Sequence, residues 1–452
     1  MGRVDFLYIK LHYTLISLFR LYTVYNKKRQ TDKNYLKKIM TVITIPSING
    51  QRLERSLMEL SQIGQLAQGG VCRLAFSAED LEARKLVSVW MEAAGMTVRV
   101  DAVGNLIGRY PGRRDDLAPL ATGSHIDTVA VGGRYDGTLG VLAGIEVVRT
   151  LKEQNLRLDH PLEVIVFSDE ENTVIGCQAM AGKVNPNPEL YKRRDGTDIQ
   201  TCLKRVGGDW DKLAIARRSK SDLAAFVELH VEQGGVLEGA GVDIGVVTGI
   251  VGQYRFLVTV TGTANHAGTT PMDSRQDALV AASQVVLAVN HLATSTPGEQ
   301  VATVGMLKVF PNATNTVPGK VELSIDLRDL DGENLRGLIG QLERELTRIA
   351  TITRTEILLT QTLEVLPTLA DPEIQQAIEE ACRQWNASYL HLPSRAGHDA
   401  QEIGRFTDMG MIFVPSRGGI SHAENEFTSP EECALGANIL LYTFLKLDQL
   451  PR

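Results

Sequence analysis

Cysteine is scarce in this 452-residue chain: Cys72, Cys177, Cys202, Cys382 and Cys433 are scattered, with no CxxC pair. A sparse, odd set in so long a chain reads as reduced thiols in a cytosolic protein rather than a disulfide framework. A basic excess is also missing, since 47 Lys+Arg stand against 54 Asp+Glu for a net charge of −7. That balance argues against a nucleic-acid-binding protein, which needs a broad basic face. No window reaches 18 uninterrupted apolar residues, so no transmembrane helix is apparent. There are no repeats and no low-complexity tract. Aromatics are only 6%, while glycine reaches 41 residues and charged residues 22%. This is an ordinary globular composition, neither disordered nor fibrous, and its Gly/Ala/Val/Leu-rich texture suits an α/β enzyme. At roughly 100–200 residues per domain the length suggests two or three domains.

Residues 1–39 stand apart. Nine Lys/Arg against two Asp/Glu make them +7 and leave −14 for the remainder. The Leu-rich, aromatic stretch Phe6–Tyr25 is broken by Lys10 and Arg20, unlike the clean apolar core of a signal peptide. It reads either as a basic membrane-surface segment or as an extension outside the fold, with initiation at Met40; the second is preferred.

Leu53, Leu57, Leu60 and Ile63 follow helical spacing, and the cap signal Ser77-Ala-Glu-Asp opens a second helix through Leu81, Leu86, Val89 and Met91. Strands are expected at Thr97–Val103, Asn105–Arg109 and Leu117–Ser124, then a helix rich in small residues at Gly137–Glu153. The apolar run Leu162–Phe167 reads as a buried strand, as does Ala224–His230. The texture then changes. A strand at Val246–Gly262, a helix at Asp273–Leu292 with Leu279, Ala282, Val286 and Val289 on one stripe, strands Val301–Phe310 and Val321–Leu330, a helix Asn334–Thr351 and a strand Thr355–Thr360 describe a small α+β unit. From Glu373 the first texture resumes, with strand Met411–Val414 and a final helix from Pro430. The expected organisation is an α/β catalytic domain with a central mixed sheet, discontinuous over 40–243 and 364–452, interrupted by a smaller α+β domain at 244–363.

Polar residues gather just after the predicted strands, where α/β proteins build their sites. Gly123-Ser-His-Ile-Asp is followed by Asp136-Gly137; Glu170-Glu171 follows one strand, Glu228-Leu-His230 another, and Ser421-His-Ala-Glu lies near the end. Singly, each has a plainer role as a turn, a loop histidine or a solvated pair. Together they are a set of imidazoles and carboxylates suited to Zn²⁺, Mn²⁺ or Co²⁺, and a carboxylate can bridge two such ions. Crowded buried carboxylates repel unless cations compensate them.

With these residues the sequence resembles the M20 metallopeptidase superfamily, and within it the hydantoinase/carbamoylase amidase branch. That branch contains N-carbamoyl-L-amino acid hydrolases, β-ureidopropionases, and allantoate and ureidoglycolate amidohydrolases. The resemblance covers residues 48–450. It rests further on Glu228-Leu-His-Val-Glu-Gln-Gly, Asn265-His-Ala-Gly-Thr-Thr-Pro-Met, Pro311-Asn-Ala-Thr-Asn-Thr-Val-Pro-Gly and Ala396-Gly-His-Asp-Ala. It implies a zinc-peptidase-like larger domain and a ferredoxin-like inserted domain serving as lid and dimerisation surface. It implies two divalent ions per subunit, Zn or Mn, with Co or Ni as further options. His125, Asp136 and His230 would hold one ion and Asp136, Glu171 and His422 the other, Asp136 bridging. Asp127 would accept the other ring N–H of His125 and fix its tautomer. Glu170 would be the general base. His266, reaching into a neighbouring subunit's site, would stabilise the oxyanion. Gln233, Asn315, Arg328 and the Gly397 backbone would bind substrate, Arg328 pairing with a carboxylate; His398-Asp399 would shape the site.

The expectation is a cytoplasmic, homodimeric amidohydrolase acting on the linear C–N bond of a small ureido or N-carbamoyl acid, with no nucleic-acid or membrane partner. The alternatives are an aminoacylase or dipeptidase of the same superfamily and a non-catalytic scaffold on an inactive hydrolase fold. One departure bears on substrate choice: many relatives follow the Glu pair with Gly-Ser-Arg-Phe, where this chain has Asn172-Thr173-Val174-Ile175.

Overall fold

The computed structural model describes residues 46–193 and 195–450. The expected extension 1–39, its membrane reading and the Met40 start lie outside the described residues. Six strands come first: β1 (Thr97–Val100), β2 (Leu106–Tyr110), β3 (Leu120–His125), β4 (Leu162–Phe167), β5 (Ala225–Val231) and β6 (Ile244–Ile250). The chain then builds a second sheet from β7 (Gly252–Thr261), β9 (Val301–Phe310), β11 (Lys320–Asp329) and β12 (Glu356–Val365). The short strands β8 (Asn265–His266) and β10 (Thr316–Val317) pair with each other alongside. It returns to the first sheet with β13 (Thr368–Leu369), β14 (Tyr389–Ser394) and β15 (Met409–Val414).

The large sheet runs β1-β2-β4-β3-β5-β15-β6-β13, with β14 also on β6. It is mixed. β4, β3, β5 and β15 are mutually parallel neighbours, whereas β2 on β4 and β6 on β15 are antiparallel. The parallel strands are buried along their whole length, which is why β4 and β15 read as nearly continuous apolar runs rather than alternations. Helix Thr138–Glu153 lies against them and buries 13 of its residues. Its small residues allow this approach: a Cβ on Gly140 would stand 2.4 Å from the Leu229 carbonyl oxygen of β5. Leu142 and Leu229 belong to the core that helix shares with Gly50–Ser61 and Pro430–Leu447. Truncating such a residue to alanine costs about 2–5 kcal/mol.

Caps explain where the helices start. Ser77 accepts from the Asp80 N–H at 3.2 Å, as the sequence signal implies. Ser429 and Glu432 form a reciprocal capping box with Pro430 at the first helical position.

The second sheet is antiparallel in the order β12-β7-β11-β9 and has its own core, formed with helices Ala278–Ser295 and Gly332–Thr353. Here the sequence expectation needs two corrections. The single strand expected at Val246–Gly262 is two. Ile244–Ile250 pairs with β15, β14 and β13 in the large sheet and is buried on both faces; only Gly252–Thr261, which alternates, joins the small one. The helix expected from Asp273 begins at Ala278, because the Asp277 carboxylate takes the N–H groups of Leu279 and Val280. Its buried stripe is therefore Ala278, Ala281, Ala282, Val285 and Val289. By length and composition this helix could cross a membrane, but that stripe is packed on the sheet.

Candidate metal centre and active site

Because β4, β3, β5 and β15 run parallel, their carboxyl ends open on one edge of the sheet. His125 is the last residue of β3, His230 lies one residue from the end of β5, Glu170 and Glu171 follow β4, and His422 follows β15. Asp136 stands two residues before helix Thr138–Glu153. Six polar residues from five separate segments of the chain thus converge.

They converge on Asp136. Its Oδ1 is 3.2 Å from His230 Nε2 and 3.7 Å from His125 Nε2, and its Oδ2 is 3.2 Å from His422 Nε2. Glu171 Oε2 is 3.5 Å from His422 Nε2, and Glu170 Oε2 is 3.6 Å from His125 Nε2. Two groups of potential ligands result, His125–Asp136–His230 and Asp136–Glu171–His422. Around a tetrahedral cation with bonds of about 2.0–2.1 Å, adjacent ligand atoms are about 3.3–3.4 Å apart. The donor chemistry and spacing therefore fit two divalent cations sharing one carboxylate.

The other imidazole nitrogens orient the rings. His230 Nδ1 lies 2.8 Å from the Val231 carbonyl, and His125 Nδ1 lies 2.9 Å from the Asp127 carbonyl. Each Nδ1–H donates there and leaves Nε2 turned toward Asp136. The expected role of the Asp127 side chain is thereby corrected: its carboxylate is 3.8 Å from His125 Nδ1 and instead accepts the Glu171 N–H at 3.2 Å. A backbone carbonyl two residues on is fixed by the bend of the chain after β3, whereas the carboxylate has turned toward the Glu pair.

The electrostatics are those of anions crowded away from water. Burial drives Asp127 up to about 7 and Glu170 well above the carboxylate range, and raises Glu171 as well. Burial also pushes Asp136 up, but hydrogen bonds to His125, His230 and His422 override it and hold Asp136 well below normal. Burial opposes charge on His125, yet the Glu170 carboxylate foremost lifts it well above normal; His422, through its bond to Asp136, rises to about 9. Asp127 Oδ1, Gln233 Oε1 and both carboxylate oxygens of Asp399 are buried without a hydrogen-bond partner. Such a cluster calls for cations.

A cavity of about 470 Å³ opens over these groups. Gln233, Arg328 and Gly397 line it, and Gln233 Nε2 donates to Asp136 Oδ2 at 2.9 Å. His398 lines it too, its ring 4.5 Å from that of His230. Asn172 and Val174, from the segment that departs from the common pattern, form part of the wall. His266 and Asn315 are elsewhere. Both are exposed and absent from the lining of this cavity; His266 pairs with Thr316, the residue after Asn315. His266 Nδ1 instead accepts the N–H groups of Gly268 and Thr269, each at 3.1 Å.

Two supporting carboxylates, Glu228 and Glu426, had no role assigned from the sequence. Glu426 Oε1 accepts the N–H groups of Tyr135 (3.0 Å) and Asp136 (3.1 Å), and its Oε2 accepts Ser421 Oγ at 3.1 Å. It ties the Asp136 loop to the His422 loop. Glu228 accepts Ser124 Oγ at 2.8 Å and the Ala400 N–H at 2.9 Å, joining β3, β5 and the His398 loop. Glu228 lies in a quoted motif, but nothing local marks Glu426, whose partners Tyr135 and Asp136 are 291 and 290 residues away.

Comparison with known proteins follows the same line. The profile of peptidase family M20/M25/M40 matches residues 121–446. The chain is 41% identical over 407 residues to an N-carbamoyl-L-amino acid amidohydrolase of Geobacillus stearothermophilus, covering 89% of this chain and 99% of that one. It is 36% identical over 394 residues to an allantoate amidohydrolase of Bacillus subtilis, covering 86% and 95% respectively. Among solved structures it resembles an amidase of the hydantoinase/carbamoylase family from Burkholderia multivorans, with TM-score 0.83, 38% identity, and coverage of 90% of this chain and 100% of the other. This chain therefore belongs to peptidase family M20/M25/M40.

Proposed function

We propose that the protein is a binuclear metal-dependent amidohydrolase that cleaves the linear C–N bond of an N-carbamoyl (ureido) acid: an N-carbamoyl-amino acid, β-ureidopropionate or allantoate. The observation that carries this reading is the carboxylate of Asp136 facing three histidine Nε2 atoms, with Glu170 beside them and outside both ligand groups. The relatives named above, which act on carbamoyl and ureido acids by their names, support the substrate class.

In this reading His125, Asp136 and His230 hold one divalent ion and Asp136, Glu171 and His422 the other, both Zn or Mn, with Co or Ni as alternatives. Such ions supply Lewis-acid polarisation and acidify water toward neutral pH. The chain's own residues do the rest. Glu170 takes the proton of the attacking water and delivers it to the departing nitrogen. Arg328 receives the substrate carboxylate as a fork of parallel N–H donors. Gln233, Asn315 and the Gly397 backbone orient the ureido group, and His266 donates to the oxyanion that develops at the carbamoyl carbon. Asp127 holds the Glu171 backbone, and so the Glu pair, in place.

His266 and Asn315 are exposed and outside the cavity of their own chain, which supports a homodimer in which residues 244–363 act as lid and dimerisation domain for a catalytic domain of 40–243 and 364–452. A cytoplasmic location completes the reading.

The test is ammonia release. A chelator should abolish it on N-carbamoyl-amino acids and allantoate, and Zn²⁺ or Mn²⁺ should restore it. Glu170→Gln should lower kcat by about 10²–10⁴-fold. Turnover of dipeptides alone, or chelator-resistant turnover, overturns the proposal.

A further inference from the structure

The face of the small sheet turned away from its helices carries a second piece of recognition chemistry. On β7, Tyr254 and Phe256 enter the core beneath those helices, and the intervening Gln253 and Arg255 face the other way. Asp326 and Arg328 of β11 share that outer face, Arg255 being paired with Asp326 and Gln253 with Arg328. Asp326 accepts Gln253 Nε2 at 2.6 Å, Arg255 Nε at 2.9 Å and Arg328 Nε at 2.9 Å. One carboxylate therefore holds two guanidinium groups side by side at the mouth of the site.

The two arginines differ in what remains open. Arg328 also donates through Nη1 to the Arg395 carbonyl at 2.6 Å, which braces it. Arg255 donates only through Nε; its Nη1 and Nη2, the edge that grips a carboxylate bidentately, meet no acceptor among the described residues. Both arginines line the site cavity and also an adjoining cavity of about 650 Å³ over the same sheet face. The proposed function, on which this inference rests, needs a single carboxylate receptor, and Arg328 supplies it.

We infer that Arg255 is a second carboxylate receptor, and that the preferred substrate is an N-carbamoyl amino acid bearing a further carboxylate on a short side chain. Arg255 and Arg328 are diagonal neighbours on adjacent strands, at about 7–8 Å between their backbones, and their side chains converge on Asp326. Two acid groups separated by one or two methylenes match two guanidinium groups so arranged. An apolar side chain in the same place would cover the Arg255 fork without giving it an acceptor, which is unfavourable.

The experiment compares kcat/KM of the metal-loaded enzyme on racemic N-carbamoyl-glutamate with that on its neutral isostere, racemic N-carbamoyl-glutamine. The wild type should favour the acid by about tenfold or more, and Arg255→Gln should lower that ratio by about 10–100-fold, the range of a charge-assisted hydrogen-bonded pair. Arg255→Glu should invert the preference and raise the relative rate on N-carbamoyl-ornithine. Turnover of the neutral compound with no preference for the acid, or a ratio that Arg255→Gln leaves unchanged, overturns this inference alone. No ammonia from any carbamoyl compound overturns the proposed function and this inference with it.

Discussion

Replacing Gly137 by alanine tests whether the His125 ring is where ligation needs it. Gly137 follows the shared carboxylate Asp136 and adopts φ 63°, ψ −48°, outside the range comfortable for a residue with a Cβ. A Cβ built there lies 2.4 Å from His125 Nε2 and 2.5 Å from Cδ2 and Cε1, whereas ordinary contact begins at 3.4 Å. The ring would have to retreat by about 1 Å, several times the ±0.2 Å tolerance of metal–ligand distances. It has little room, being 3% exposed. The backbone conformation alone would cost about 1–3 kcal/mol. Gly137→Ala should therefore fold with a modestly lowered Tm, bind the ion of the His125–Asp136–His230 set about 10–100-fold more weakly, and lose about 10²-fold in kcat/KM. Metal content by mass spectrometry, calorimetric titration and ammonia release measure these in parallel. The control is Gly239→Ala, where an added Cβ meets nothing within 4 Å and all three readouts should stay at wild type. Two full equivalents of metal and wild-type kcat/KM in Gly137→Ala would refute the ligand assignment of His125.

Three further outcomes are expected. Asp136→Ala should lose both ions, whereas His230→Ala should weaken chiefly one; equal losses by metal analysis would remove the bridging role. Glu426→Ala strips the acceptor from two backbone N–H groups and from Ser421, a loss of about 1–3 kcal/mol for each buried donor left unsatisfied, so both Tm and metal occupancy should fall; if neither moves, Glu426 does not hold the two loops. His266→Ala should lower kcat by about 10²–10³-fold, and mixing it with Glu170→Gln should restore partial activity if His266 serves the neighbouring subunit; absence of complementation in mixed dimers argues that it does not.

Much of the architecture was legible because burial leaves a mark on composition. Leu162–Phe167 and Val301–Phe310 have the expected bounds, since a strand buried on both faces must be a continuous apolar run and Phe310 is followed at once by a proline. The Ser77 cap announces its helix, because an N-cap is a local hydrogen bond with a local signature. β14, by contrast, was missed, and β6 was merged with β7. The break at Val251 is a change of sheet, decided by which strands lie alongside and not by the residues at the join. The helix from Ala278 was expected to start at Asp273, but Asp273 lies in the short turn Met272–Ser274 and it is the Asp277 carboxylate that takes the first free N–H groups.

At the site, chemistry and geometry divide in the same way. Residue type near the predicted strand ends gathered His125, Asp136, Glu170, Glu171, His230 and His422 into one candidate group, and the resemblance to the M20 superfamily sorted that group into ligands and base. Sequence alone did not determine that His125 leans on a backbone carbonyl and not on the Asp127 carboxylate, that Glu426 locks two loops 290 residues apart, or that Asp326 fastens Arg255 beside Arg328. Those are distances between segments that meet only after the sheets have formed. They depend on register and twist summed over the whole chain, which no short stretch of residues encodes.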